Sequence, residues 1–226
     1  MELAKLELAC FNVESVKCAI QCGVDRIEFA HNYEVGGITP YLSDFKIIRK
    51  LTKIPIYVMI RCRPGNFIYS RQEIETMKTS IQSFLEYGAD GIVFGCLTSD
   101  NRIDEASNYE LIMASNGVGK TFHRAFDQII NWEEGIEQLI KLKFQNLLSS
   151  GGLKAAMDGI EKLDRIKKIS NNRLNLIVGG GVRSSNILNL KKRLGNTFYH
   201  SACITNNETQ IASQTEIFEI LNKIRK

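Results

Sequence analysis

Cys22-Gly23-Val24-Asp25-Arg26-Ile27 is echoed further along the chain by Tyr87-Gly88-Ala89-Asp90-Gly91-Ile92. Both runs read alike: a helix ends, glycine turns the backbone, a small residue and an aspartate follow, and a strand begins. A recurring helix-to-strand joint is the mark of a chain built from βα units. The pattern on either side of it decides the architecture.

Working outward, strands are predicted at 6–9, 26–29, 56–60, 91–94, 120–124, 146–149, 174–178 and 197–200. Helices are predicted between them: one capped by Asn12 and ending at Gly23, then 43–51, 70–87, 105–116, one opened by Asn131 and Glu134, then 154–170, 184–194 and 216–226. Ser70 and Glu73 have the spacing of a capping box. Spread over 226 residues, eight such units take roughly 28 residues each, which suits a single (β/α)₈ TIM barrel spanning 1–226. A doubly wound open sheet is the alternative, because alternation alone does not show closure. Only three prolines and no low-complexity linker leave little room for a domain boundary, and the single barrel is favoured.

Hydrophobic content of 44% and charged content of 24% are those of an ordinary globular protein. The net charge of +4 comes from 29 basic and 25 acidic residues without a dense basic block, so nucleic acid and membrane surfaces are not expected partners. No apolar run has the length of a signal peptide or a membrane span. The six cysteines are scattered, several in apolar surroundings, which reads as reduced thiols in a cytoplasmic protein.

Chemistry gathers at the ends of the predicted strands. Thr121-Phe122-His123-Arg124-Ala125-Phe126-Asp127 delivers an imidazole, a guanidinium and a carboxylate at one strand exit, and Glu7, Glu28, Arg61 and His200 sit at or near others. In a barrel these ends converge on one rim, where active sites lie. If Glu7, Glu28, Arg61 and His123 all point inward, they form a mixed-charge cluster able to supply an acid, a base and an anion clamp. The plainer reading is a buried layer whose charges neutralise one another.

Arg63 and Arg61 are candidates to clamp an anion, with Arg124, Asp127 and His200 nearby. Two glycine-rich turns, one with Ser150 and Gly151 and one with Gly179, Gly180 and Gly181, permit close backbone approach to an anionic group. Tight βα turns use glycine in any case. One reading is therefore an enzyme acting on a small anionic, phosphorylated or sugar-like metabolite.

Metal signals are weaker. Cys18 and Cys22 share a helix face and could hold a soft ion, yet Val16, Ala19 and Ile20 beside them indicate packing. No CxxC motif exists and the three histidines lie far apart, which argues against zinc. Glu7, Glu28 and His123 are a conceivable hard-cation set. Trp132, beside the fifth-strand turn, is a candidate pocket wall or core residue.

The segments Arg26-Ile27-Glu28, Gly36-Gly37-Ile38-Thr39-Pro40, Met59-Ile60-Arg61-Cys62-Arg63, Phe67-Ile68-Tyr69-Ser70 and Thr121 to Asp127 occur in this order. With Ser150-Gly151, Gly181-Val182-Arg183 and His200-Ser201, they resemble the CutC family over roughly Glu7 to Ser201. The resemblance implies a (β/α)₈ barrel, a cytoplasmic homo-oligomer (dimer or tetramer), and a link to copper homeostasis with Cu(I) held by cysteines. Cys10 falls in the matching segment, and Cys62 is its candidate companion. The chain departs from the family pattern at Ala30, where a cysteine is common, at Cys62, where a proline is usual, and at Pro64, where a glycine is usual.

Overall fold

Aspartate explains the echoed joint. Leu6 N–H donates to Asp25 Oδ2 at 2.8 Å, and Ile56 N–H donates to Asp90 Oδ2 at 2.8 Å. Each carboxylate therefore takes up the backbone amide of the preceding strand and sets where the next strand begins. Gly23 and Gly88 supply the turn at φ +68° and +88°, a region that favours glycine. A third copy is hidden in Lys143-Phe144-Gln145. There Lys143 takes φ +62°, and the Gln145 side chain accepts from Lys120 N–H at 2.8 Å in place of an aspartate.

The computed structural model describes residues 3–115, 117–195 and 197–226. Strands β1 (Lys5–Cys10), β2 (Arg26–Phe29), β3 (Ile56–Met59), β4 (Gly91–Phe94), β5 (Gly119–Phe122), β6 (Asn146–Ser149), β7 (Asn175–Val178) and β8 (Phe198–Ser201) pair in sequence order into a closed, all-parallel barrel. The open-sheet alternative is thereby excluded. Helices α1 (Val13–Cys22), α2 (Leu42–Leu51), α3 (Arg71–Glu86), α4 (Glu105–Ala114), α5 (Trp132–Lys141), α6 (Ile160–Ser170), α7 (Ile187–Leu194) and α8 (Gln214–Ile224) follow the strands in turn. The expected caps form: Asn12 accepts from Ser15 N–H, and Ser70 and Glu73 complete a capping box at α3.

Several boundaries shift by one or two residues from the sequence reading, and three differences have a visible cause. His123 and Arg124 leave the fifth strand, because His123 caps a short 3-10 turn, Arg124–Gln128. The sixth helix starts at Ile160 rather than at 154. The chain before it folds back on its own loop: a Cβ on Gly151 would stand 2.3 Å from Gly159 O, and Ala156 N–H donates to Gly180 O at 2.8 Å. The helix after β7 starts at Ile187 rather than at 184, since Ser184 N–H and Oγ are held by Glu216 at the start of α8. Asn116, where the sequence reading ends the fourth helix, lies outside the described residues.

Alternation divides each strand between two environments. On β1, Leu6, Leu8 and Cys10 pack outward with Val16, Ile27, Ile217 and Ile220 in the main apolar core between sheet and helices. Each such aliphatic side chain, fully buried, contributes about 1.5–3 kcal/mol against exposure. The odd residues of β1 face the barrel axis, which is filled in part by Tyr57. A Cβ on Gly91 or Gly119 would fall 2.5 or 2.0 Å from the Tyr57 side chain, so both glycines are space for that ring. Trp132 faces outward beneath Lys162 and Arg165, both within 5.2 Å of its ring, and does not line the barrel mouth. Among the described residues no helix is long and apolar enough to cross a membrane.

Candidate functional site at the barrel mouth

Strand register puts three polar residues in one row. Glu7 pairs with Arg26 on β2 and with His200 on β8. Arg26 Nε–H donates to Glu7 Oε2 at 2.5 Å, and His200 Nδ1 lies 2.8 Å from Glu7 Oε1. Arg26 is itself held between the rings of Tyr57 and Phe198, at 4.3 and 4.2 Å. Burial alone would raise the Glu7 carboxyl, but Arg26 and His200 outweigh it and hold it down at about 2. Glu7 is thus an ionised anchor. It takes one His200 nitrogen and leaves Nε2 aimed at Glu28 Oε1, 3.9 Å away.

Glu28 stands two residues further along β2, one layer nearer the mouth, and is only 3% exposed. Its Oε2 has no hydrogen-bond partner among the described residues. Desolvation pushes this carboxyl up to about 7, with Glu7 adding to the rise and His200 and Arg26 opposing it. His200 is shifted upward: burial disfavours its charge, but Glu28 and Glu7 more than compensate. The titrations of Glu28 and His200 therefore depend on each other.

The opposite wall carries donors. Arg61 is gripped by carbonyls of the Gly36-Gly37 turn and its own loop: Nη1 donates to Val35 O and Gly37 O at 2.9 and 3.0 Å, and Nη2 to Gly65 O at 2.7 Å. Thr39 fastens the same turn by accepting from Arg61 N–H at 2.8 Å. His123 Nδ1 accepts from Ala125 N–H at 3.3 Å, which assigns the ring proton to Nε2. Burial, together with the Arg61 charge, lowers His123 to about 3, so the ring is neutral. Arg61 Nε and His123 Nε2 both lack partners among the described residues. Gly95 makes room for the imidazole, since a Cβ there would lie 2.8 Å from its Nδ1.

These groups open onto a cavity of about 300 Å³ that Glu28, Arg61, His123, Arg124, Gly180, Gly181 and His200 help to line. Seven of the sequence-derived candidates thus meet at one mouth. Glu7 lies behind them as the support of His200. The others turn elsewhere. Arg63 points out to Glu73 at 2.5 Å, next to the α3 cap, and does not join Arg61 as a clamp. Asp127 accepts from Ser149 Oγ, Ser150 N–H and Oγ, and Gly152 N–H, so it organises the loop after β6. Ser150 and Gly151 belong to that loop, and Gly179 lies against Leu148 below Gly180.

Sequence reasoning passed over Arg26, although its alternation with Glu28 in Arg26-Ile27-Glu28 places both on the inner face. It also left Arg183 off the site. Arg183 Nη1 donates to Ser201 Oγ at 3.1 Å, and the residue lines the cavity. Phe11, Met59, Phe67 and Leu148 form apolar wall, and nothing in their local sequence marks them as cavity residues.

The cysteine pair is not assembled. Cys10 is on β1 and Cys62 follows β3, with β2 between them, a separation of two strand spacings or roughly 10 Å. Cys10 is fully buried, and desolvation, with Cys203, Cys18 and Glu28 nearby, raises its thiol far above the ordinary range. Cys62 is raised by burial and by Glu73. Both thiols are thus held toward the protonated form, and a Cu(I) ion would have to displace their protons to bind them as thiolates.

Among the described residues, the one set of three such side chains whose donor atoms lie within 4.8 Å of one another is Glu7, Glu28 and His200. His123, grouped with the two glutamates in the hard-cation reading, is replaced there by His200. Both Glu7 oxygens are already taken by Arg26 and His200, and no thiol takes part. This arrangement does not fit Cu(I).

The family model described as CutC family matches residues 4–205. The copper homeostasis protein cutC homolog of Homo sapiens is 36% identical over 195 residues, covering 86% of this chain and 71% of its own length. A CutC family protein of Pasteurella multocida is 38% identical over 196 residues, covering 87% of this chain and 80% of its own. The crystal structure of CutC from Streptococcus agalactiae superposes with a TM-score of 0.84 at 30% identity, covering 89% of this chain and 99% of that one.

Proposed function

The chain belongs to the CutC family, and on that premise we propose that it serves copper homeostasis by binding and processing a small anionic organic molecule in the barrel mouth. The copper part of this reading comes from the names of its relatives. The chemical part comes from one observation. Of the buried polar atoms with no partner among the described residues, three belong to cavity-lining side chains: Glu28 Oε2, Arg61 Nε and His123 Nε2. A buried polar atom without a partner costs about 1–3 kcal/mol, more when charged. Three on side chains that line one cavity amount to polar groups left over for a ligand that enters it.

The ligand's charge follows from the walls. Glu7 is neutralised by Arg26, and Arg124 is paired with Asp127 at 2.9 Å, so Glu28 shares the cavity with Arg61 and Arg183 as the remaining cations. An anion evens this balance. Direct Cu(I) binding through Cys10 and Cys62 is the second reading, favoured by the family's association with copper and by the cysteine in the matching segment.

Thermal shift on reduced, metal-free protein separates the two, because a ligand that binds only the folded state raises Tm. Small carboxylates and phosphates should raise Tm in the wild type and in Cys10→Ser/Cys62→Ser, and lose the effect in Arg61→Ala. A Cu(I) shift abolished by the serine pair, with every anion inert in the wild type, would reverse the order of the two readings.

A further inference from the structure

The three unpaired atoms are arranged by chemical type as well as by place. Arg61 and His123 sit against the same aromatic side chain, with the guanidinium and the imidazole each 4.8 Å from the Phe67 ring centre. Both side chains line the same cavity and the Arg61 charge acts on the imidazole, so the mouth offers one N–H on a cation and one on a neutral ring. Preorganised donors of this kind stabilise an oxygen that gains negative charge during a reaction. A neutral imidazole paired with a carboxylate of raised pKa is a known means of moving a proton beside a carbonyl.

The acceptor on the same cavity lining is Glu28 Oε2, and an imidazole stands near its other oxygen. Oε1 lies 3.9 Å from His200 Nε2, and His200 is locked in orientation by Glu7. Phe11, Met59, Phe67 and Leu148 give the cavity an apolar side, and a space of about 300 Å³ suits a small molecule.

We infer that this mouth enolises a small 2-oxo acid, with Glu28 Oε2 taking a proton from the carbon beside the keto group while the His123 and Arg61 N–H groups receive the keto oxygen. The C–H bond breaks, its electron pair becomes the new C=C bond, and the carbonyl π pair moves onto oxygen. The proton passes to Glu28, exchanges through His200, and returns to carbon when the enolate collapses. No oxidant or reductant is needed. The carboxylate of the substrate answers the excess of arginine charge. The inference rests on the proposal that the mouth binds a small anion and adds the reaction class to it.

The groups that set the protonation of Glu28 are His200 from β8, Glu7 from β1 and Arg26 on its own strand. Arg61, His123, Arg124, Arg183 and Tyr33 complete the charged and titratable lining. Exchange should therefore quicken with pH through about 7, as Glu28 loses its proton.

The test is proton NMR in D₂O, following loss of the methyl signal of pyruvate and the methylene signal of 2-oxobutyrate. Calorimetric titration runs in parallel with oxalate, a planar mimic of the enolate, and with lactate. Wild-type protein should exchange these protons at least about 100-fold faster than buffer. Glu28→Gln should fall back to within a few-fold of buffer, and His123→Gln should lose about 100-fold while still binding oxalate.

Oxalate or lactate binding with exchange at the buffer rate would overturn enolisation and leave the binding proposal standing. If oxalate and lactate fail to bind and exchange stays at the buffer rate, enolisation falls, and the binding proposal falls with it when phosphates also leave Tm unchanged. Wild-type exchange retained in Glu28→Gln also overturns the assignment. Should that variant not fold, the wild-type pH profile decides, a flat profile counting against the inference.

Discussion

Glu28→Gln should leave the protein more stable than the wild type at pH 8, and no more stable near pH 4. Glu28 is a buried acid whose folded-state pKa, about 7, lies above its ordinary value of 4.5. Below 4.5 it is protonated in both the folded and the unfolded chain and has no effect. Between 4.5 and 7 the unfolded chain releases its proton first, so stability falls as pH rises, and above 7 the loss is complete. A glutamine carries no charge and avoids this penalty, though its amide also needs partners. The net gain should be about 2 kcal/mol at pH 8. That corresponds to a rise in Tm of about 4–8 °C for a chain of this size. Melting curves for both proteins between pH 4 and 8 check the sign, and parallel curves would refute it. A stabilising substitution at an unpaired buried carboxylate is what a binding site predicts, because the strain is relieved by ligand in the native protein.

Arg26→Met should do the reverse and more strongly. Glu7 is fully buried, and Arg26 and His200 are its only side-chain partners among the described residues. Removing the guanidinium strands a buried charge, which costs about 3–5 kcal/mol. It also strips the cation from between Tyr57 and Phe198. Tm should drop by about 10 °C or more. Adding Glu7→Leu should recover much of the loss, because the stranded charge is then gone. Strict additivity of the two substitutions would show that the pair is not coupled. The pH dependence has its own sign. The Glu7 pKa is depressed to about 2, so its contribution is present above 4.5 and lost as pH falls through 2. In Arg26→Met that acid-side loss should shrink.

Much of this molecule is legible in its sequence. Periodicity located all eight strands, because a closed parallel sheet needs short apolar runs at regular spacing, and glycine and aspartate marked two of the joints. The third joint was hidden, since Lys143 adopts a glycine-like φ and Gln145 substitutes for aspartate. The start of the sixth helix was misplaced because the fold-back of 151–159 depends on Gly180, which is distant in sequence.

The site divided in the same way. Glu28, Arg61, His123 and His200 were visible as polar residues at the ends of apolar strands. Arg63 and Asp127 looked equivalent to them in one dimension, but Glu73 and the serines of the β6 loop had already claimed them. Whether a polar strand end is spent on the fold or left for a ligand depends on its partners, and partners come from elements far away in the chain. The same holds for Cys10 and Cys62, whose strands are separated by β2.

The most direct test of the account is a carbon-13 NMR titration of the Glu28 side-chain carboxyl in otherwise unlabelled, reduced protein, with and without oxalate. The expected midpoint is near 7 in the free protein, moving higher when the dianion is bound beside it. A midpoint at the ordinary carboxylate value, unmoved by oxalate, would contradict it.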